Sequence, residues 1–278
     1  MSADPSTPIG TPAASCRELV QIYESAGGRV HALRGVSVDV AARTLTVVMG
    51  PSGAGKSTFL RLLACLERPT VGEVTIEGTP TAQLSGRARR HLAARRIGYV
   101  FQTPSDNLLD YMTVTEHVRM AWRMRAPEPR GAVADLLELT GLADVPDHRP
   151  RALSVGQQQR LAFAMAVAAR PAIVVADEPT ANLDPAGAAA LVELLPRLVE
   201  DGQTLVICTH DPAVVAAADR SLLISGGTLA AESDADGELL AVLDEADRIH
   251  LPRALTDLFP GRRLRLVAAD DHVRIEAP

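Results

Sequence analysis

Nine residues, Gly50-Pro-Ser-Gly-Ala-Gly-Lys-Ser-Thr58, constrain this chain more than any other stretch. They fit G-x-x-x-x-G-K-[ST], a loop whose backbone N–H groups gather around phosphate. Such a loop needs a strand before it and a helix after it. Thr44 to Met49 is apolar enough for a buried strand, and Phe59 to Leu66 has the pattern of a helix. Gly50, Gly53 and Gly55 permit backbone conformations closed to other residues, which turns successive N–H groups inward. Those donors and the positive end of the following helix form an anion site. Lys56 is the only lysine in the chain, every other basic side chain of this kind being arginine. A compact, flexible ammonium reaches between two phosphates where the planar fork of arginine does not substitute. Average residue usage puts a chance match at odds on the order of one per cent. The stretch therefore predicts nucleotide binding.

A length of 278 residues allows one large domain or two modest ones with a real core. The net charge of −6 disfavours nucleic acid as the main partner. Cys16, Cys65 and Cys208 are widely spaced and make no metal-ligand pattern, which suits a reducing cytosol. No basic, apolar, cleavable leader is read at the start. The apolar run from Leu161 to Ala176 is broken by Arg170 and Pro171, so it predicts a helix and then a strand. The chain is not expected to cross a membrane by itself.

Along the chain, residues 1–16 are expected to be a disordered tail rich in Ser, Thr, Pro and Ala. Val30 to Val40 alternates like an edge or antiparallel strand, with Tyr23 ahead of it; that tyrosine is either a half-buried strand residue or an aromatic plate for adenine. Gly72 to Gly78 is a short strand, and Ser85 to Arg96 an arginine-dense helix with a solvated face. Ile97 to Gln102 is an apolar strand ending on a glutamine, at the strand end where ligands bind in parallel sheets. Helical patterns at Met112 to Met124 and Ala132 to Leu142 suggest an insertion, a helical subdomain over about 103–168. Ser154 is a plausible cap for a helix running to Ala169, with free N–H groups behind it. Ala172 to Ala176 is a continuous apolar run that then meets Asp177 and Glu178. Such a run reads as a central parallel strand, and two acids at its end call for a cation or ligand. Asn182 to Pro185 turns into a helix over Ala188 to Glu200, and Gln203 to Cys208 is another buried strand, followed by His210. Ser221 to Ala230 suggests a hairpin around Gly226-Gly227. Residues 233–278 are read as an extension with an acidic helix, Glu238 to Ile249, and two short strands, Arg263 to Ala268 and His272 to Glu276.

This ordered set resembles the nucleotide-binding domain of ABC transporters over residues 17–232. Besides the P-loop it includes Gln102 as the Q-loop glutamine and Leu153-Ser-Val-Gly-Gln157 as the signature. Ile173 to Glu178 matches the Walker B strand, Asn182-Leu-Asp184 the D-loop, and His210 the switch histidine. Tyr23, Val30 to Val36, Asn107 to Leu109 and His148 to Pro150 look most like the lipoprotein-release and macrolide-export subfamily. The resemblance implies an α/β P-loop NTPase core of mainly parallel sheet, an antiparallel β subdomain and a helical insertion.

It also implies ATP and Mg²⁺ as ligands. Gly50, Ser52, Gly53, Gly55, Lys56, Ser57 and Thr58 would hold the phosphates, with Tyr23 stacked on adenine. Ser57, Gln102 and Asp177 would serve the metal; Glu178 would be the general base, with His210 and Gln102 in contact with the γ-phosphate region. Ser154 and Gly156, grouped with Gln157 and Asp184, would close on ATP held by an opposite subunit. The usual signature is Leu-Ser-Gly-Gly-Gln, and Val155 stands here at its first glycine. Implied partners are a second ATPase subunit and an integral membrane permease, which would place the chain in the cytoplasm on the inner face of the membrane. Within the same family, a transport-independent ATPase that signals through a membrane protein, as in cell division, is the alternative. Repair or translation ATPases fit less well, for want of long insertions or a second cassette, and a small-molecule kinase would need no signature helix.

Overall fold

The computed structural model describes residues 11–25, 28–125, 131–233, 239–242, 265–268 and 273–276. Strands β1 (Ala14–Ser25), β2 (Gly28–Val40) and β3 (Leu45–Met49) precede helix α1 (Lys56–Leu63). Strands β4 (Val71–Ile76) and β5 (Thr79–Pro80) lead to α2 (Gly86–Arg96) and β6 (Ile97–Val100). Helices α3 (Val114–Arg125), α4 (Ala132–Leu139) and α5 (Val155–Val167) follow, then β7 (Ile173–Asp177) and α6 (Pro185–Glu200). The order continues with β8 (Leu205–Cys208), α7 (Pro212–Ala216), β9 (Arg220–Ser225) and β10 (Thr228–Ser233). Three short strands come last: β11 (Leu239–Ala241), β12 (Arg265–Ala268) and β13 (Val273–Glu276).

One seven-stranded sheet has the order β11-β10-β9-β3-β8-β7-β6. From β9 to β6 every neighbouring pair is parallel, while β10 and β11 add antiparallel edges. A second, antiparallel sheet runs β2-β1-β4-β5, and β12 pairs with β13. The fold is thus the expected α/β core with an antiparallel subdomain and a helical insertion.

Side chains of the parallel strands alternate between two cores, as strand geometry requires. Val47, Val174, Ala176, Leu205 and Ile207 pack on the side that holds α3, α4, α5 and α6. Val48, Ile173, Val175, Val206 and Cys208 pack on the other, with Phe59, Leu60, Leu62 and Leu63 of α1 and the inner face of the antiparallel sheet. Burial on both faces explains why β7 is a run of apolar residues rather than an alternation. Each fully buried Leu, Ile or Phe on these surfaces contributes about 1.5–3 kcal/mol relative to exposure. The sheet therefore fixes α1 on one face and α5 on the opposite face.

Two expectations change. The tail predicted over 1–16 gives way at Ala14, which pairs with Val40 on one side and Ile76 on the other. Ala14 and Cys16 are buried there, so the sheet core extends the order. Residues 1–10 lie outside the described residues. The helix predicted from Glu238 begins instead as β11, which takes the free edge of β10 through Ser233–Leu239 to Ala231–Ala241 pairing. The main sheet therefore continues past the boundary placed at 232. The rest of that predicted helix lies outside the described residues.

Candidate active site

The parallel register brings four chain exits to one edge of the sheet. Val48 pairs with Cys208, Asp177 with Cys208, and Val100 with Ala176. The P-loop, Gln102, the Asp177-Glu178 pair and His210 therefore all leave the sheet at the same end, where ligands bind in such folds.

Gly50 and Gly55 are needed for space as well as for conformation. Their φ values are +145° and +104°, and an added Cβ would lie 2.0 Å from the Ile224 carbonyl oxygen and 2.3 Å from that of Ala32. At Gly53, φ is +75° with open space around it, so only the backbone conformation demands glycine. Gly55 caps α1 in a left-handed conformation without a side-chain hydrogen bond, and no acid stands in the first turn. The positive helix end is thus left to an outside anion. The Lys56 ammonium donates to the carbonyl oxygens of Gly50 at 2.8 Å and Pro51 at 3.0 Å, which holds it across the loop. Ser52 is exposed, Ser57 half-buried and Thr58 buried.

Tyr23 stands on β1, and its hydroxyl donates to Glu67 Oε2 at 2.5 Å. Partial burial, and then that hydrogen bond, raise the phenol above its usual pKa, and the Thr58 hydroxyl lies against it. The ring is thereby fixed against the antiparallel sheet and α1.

Glu178 has a left-handed φ of +45°, rare for a residue with a side chain. Its N–H donates to the Cys208 carbonyl at 2.8 Å, which locks the turn at the end of β7. Glu178 Oε1 lies 3.0 Å from His210 Nδ1. The other oxygen, Oε2, is buried and has no hydrogen-bond partner among the described residues. Beneath them, burial and then the Asp177 carboxylate push the Cys208 thiol far up, so it stays neutral. Among the described residues, no group of three or more His, Cys, Asp or Glu is placed to hold a metal.

The signature residues stand apart from this edge cluster. Ser154 caps α5 in a capping box: its hydroxyl accepts from Gln157 N–H at 3.2 Å, and its own N–H donates to Gln157 Oε1 at 2.9 Å. The Gln157 side-chain oxygen is thus engaged in building the helix start. Asp184 likewise caps α6, accepting from Gly187 N–H at 3.2 Å. Gly156 is buried, and a Cβ there would meet Gly187 Cα at 3.0 Å, so the starts of α5 and α6 touch. Val155 is 46 % exposed. Because α5 and α1 cover opposite faces of the sheet, one chain does not stack its own signature helix on its own P-loop helix.

His117 and Gly187 escaped the sequence reading, and Asn182 was read only as part of the D-loop, without its contact to Gln102. His117 is wholly buried; its Nε2 accepts from Leu109 N–H and its Nδ1 lies 2.8 Å from the Thr113 carbonyl, which ties the segment after Gln102 to α3. Asn182 Nδ2 donates to the Gln102 carbonyl at 3.5 Å. Gly187 supplies the close approach to Gly156. Of the two that escaped, Gly187 left a trace in the small-residue run Pro185 to Ala190.

A P-loop strand and helix, two acids on the central strand and a second capped helix on the far face together define an ATPase of the ABC type. The ABC transporter family matches residues 33–181. The lipoprotein-releasing system ATP-binding protein LolD of Bordetella pertussis is 40 % identical over 223 residues, covering 78 % of this chain and 95 % of that protein. An uncharacterized ABC transporter ATP-binding protein of Thermotoga maritima is 44 % identical over 198 residues, covering 70 % of this chain and 84 % of that protein. Among solved structures, the dimeric ATP-binding cassette MJ0796 bound to ADP and Pi superimposes with a TM-score of 0.71 at 32 % identity, covering 81 % of this chain and all of that one. The chain belongs to the ABC transporter ATP-binding proteins and is an ATP-hydrolysing subunit of an ABC transporter. No helix among the described residues is long and apolar enough to cross a membrane.

Proposed function

We propose that this subunit energises a separate integral membrane permease from the inner face of the membrane, by pairing head to tail with a second ATPase subunit across two ATP molecules. The opposite-face placement of α1 and α5 supports this pairing, because it leaves each chain half of two composite sites. A second copy or a homologous partner supplies Ser154, the N–H of Gly156 and the Asp184 turn; Gln157 acts by holding Ser154 in its cap.

The P-loop donors and Lys56 bind the β- and γ-phosphates, and Tyr23 offers its ring to adenine. Mg²⁺, held through Ser57, Asp177 and Gln102, would neutralise phosphate charge. Glu178 takes a proton from the attacking water as the water oxygen bonds to the γ-phosphorus and the bridge to the β-phosphate breaks, giving ADP and phosphate. His210 positions Glu178 through the contact at 3.0 Å and stands beside the γ-phosphate. Positioning and charge neutralisation dominate phosphoryl transfer, and these groups supply both.

The observation that carries this reading is the buried, unpartnered Glu178 Oε2. An unsatisfied buried acceptor costs about 1–3 kcal/mol, a penalty relieved when a water donates to it. Glu178→Gln should keep ATP binding and lower turnover by about two to four orders of magnitude. Near-normal hydrolysis by that variant would remove Glu178 from the base role.

The permease surface is assigned to the region around Gln102 and the helical insertion, where Phe101, Leu109, Tyr111 and Met124 are all exposed. Clustered exposed apolar side chains of this kind mark interaction surfaces. Co-purification from native membranes of one integral protein with this chain, lost on charge substitution at Tyr111 and Met124, tests that assignment.

A further inference from the structure

Helix α2 has no buried residue and no acid in its first turn, and it ends on Arg95 and Arg96. Arg87, Arg90, His91 and Arg95 are all exposed, and their spacing of three, four and eight residues puts them on one face. Leu92 and Ala93, on the other face, pack against the core around α1. Between Glu77 and Asp106 the sequence has no acidic residue and five arginines, in a chain whose net charge is −6. Among the described residues Arg96 is paired with Glu77 at 3.0 Å, whereas Arg87, Arg90 and Arg95 have no ion pair. A solvated helix face of a soluble protein ordinarily mixes both signs; this one is of a single sign.

From this strip we propose that α2 docks on an anionic phospholipid surface, with Arg87, Arg90 and Arg95 contacting lipid phosphates. Charge complementarity selects the occupant: guanidinium forks match phosphate oxygens in pairs. The strip's place in the fold fits as well. Ala94 of α2 and Met120 and Met124 of α3 line one groove of about 170 Å³, so the strip flanks the surface assigned to the permease. That part of the argument rests on the permease reading, whereas the charge of the strip does not. Lipid contact would fix the rotation of the subunit under its permease and leave the catalytic edge free. Nucleic acid is disfavoured by the acidic remainder of the chain, which repels a long polyanion, while a membrane meets only one side of the molecule.

The test is partitioning of the purified full chain onto vesicles of phosphatidylglycerol with phosphatidylcholine, against vesicles of phosphatidylcholine alone. Binding is expected only to the anionic vesicles and should weaken as salt is raised. The triple variant Arg87→Gln, Arg90→Gln, Arg95→Gln should lower the partition coefficient about a hundredfold, at roughly a factor of five per arginine. Its ATP turnover should equal that of the parent, since none of the three touches the nucleotide site. Equal binding to both vesicle types, or undiminished binding by the variant, would overturn the proposal. So would duplex DNA held as tightly as the anionic vesicles. No permease enters the assay, so its outcome is independent of co-purification of an integral protein.

Discussion

Val155 and Gly156 are neighbours at the start of α5, yet they answer to different constraints. Val155 takes an ordinary helical conformation and points at least partly to solvent, 46 % exposed. Gly156 lies where a Cβ would press on Gly187 Cα at 3.0 Å. Gly156→Ala should therefore destabilise the fold by about 1–3 kcal/mol, by the cost of overpacking, in denaturant unfolding. Val155→Gly should cost about 1 kcal/mol or less and show itself in turnover instead. Equal stability losses for the two would contradict this division. At this scale the P-loop glycines, Lys56, Asp177, Glu178 and His210 were legible because each sits at a fixed offset from a strand end. The Gly156–Gly187 contact was hidden because it joins two helix starts that are distant in sequence. Gln157 was legible as a signature residue, but its bond to the Ser154 backbone appears only in three dimensions.

Elements were readable where a pattern had one physical meaning. The apolar runs of β3, β7 and β8, each meeting a polar ligand-type motif at its end, read as buried strands. Ser154 read as a helix cap, a role the structure also gives Ser85 and Asp184. Leu239 to Ala241 was misread because a short apolar stretch fits a helix or a strand, and the open edge of β10 decides between them. His117 also escaped, since a lone histidine in a helical pattern has no signature. Burial lowers its pKa below the ordinary 6.5, while the hydrogen bond to Thr113 and the Glu116 charge oppose that shift only in part. The unfolded chain thus binds a proton that the folded chain refuses. Stability from this group is complete above the unfolded value and declines as pH falls below about 6.5 towards the folded value. His117→Gln should lower stability at pH 8 and flatten the pH dependence below about pH 6.5. An unchanged slope in that variant would show that another group titrates there.

For the whole molecule, the parallel sheet separates the two halves of the machine: α1 and its P-loop on one face, α5 and its cap on the other. Strand order cannot be read from the motifs alone, since nothing in the sequence says which face each crossover takes. The faces leave a lone chain with its P-loop and its signature helix start apart, and in the proposed pairing ATP is the material that joins two copies. The most direct measurement is the mass in solution of the Glu178→Gln variant, by sedimentation or light scattering, with and without MgATP. Head-to-tail pairing predicts a monomer without nucleotide, a dimer with it, and loss of the dimer when Ser154→Arg is added. A mass indifferent to MgATP, or a dimer that survives Ser154→Arg, would contradict it.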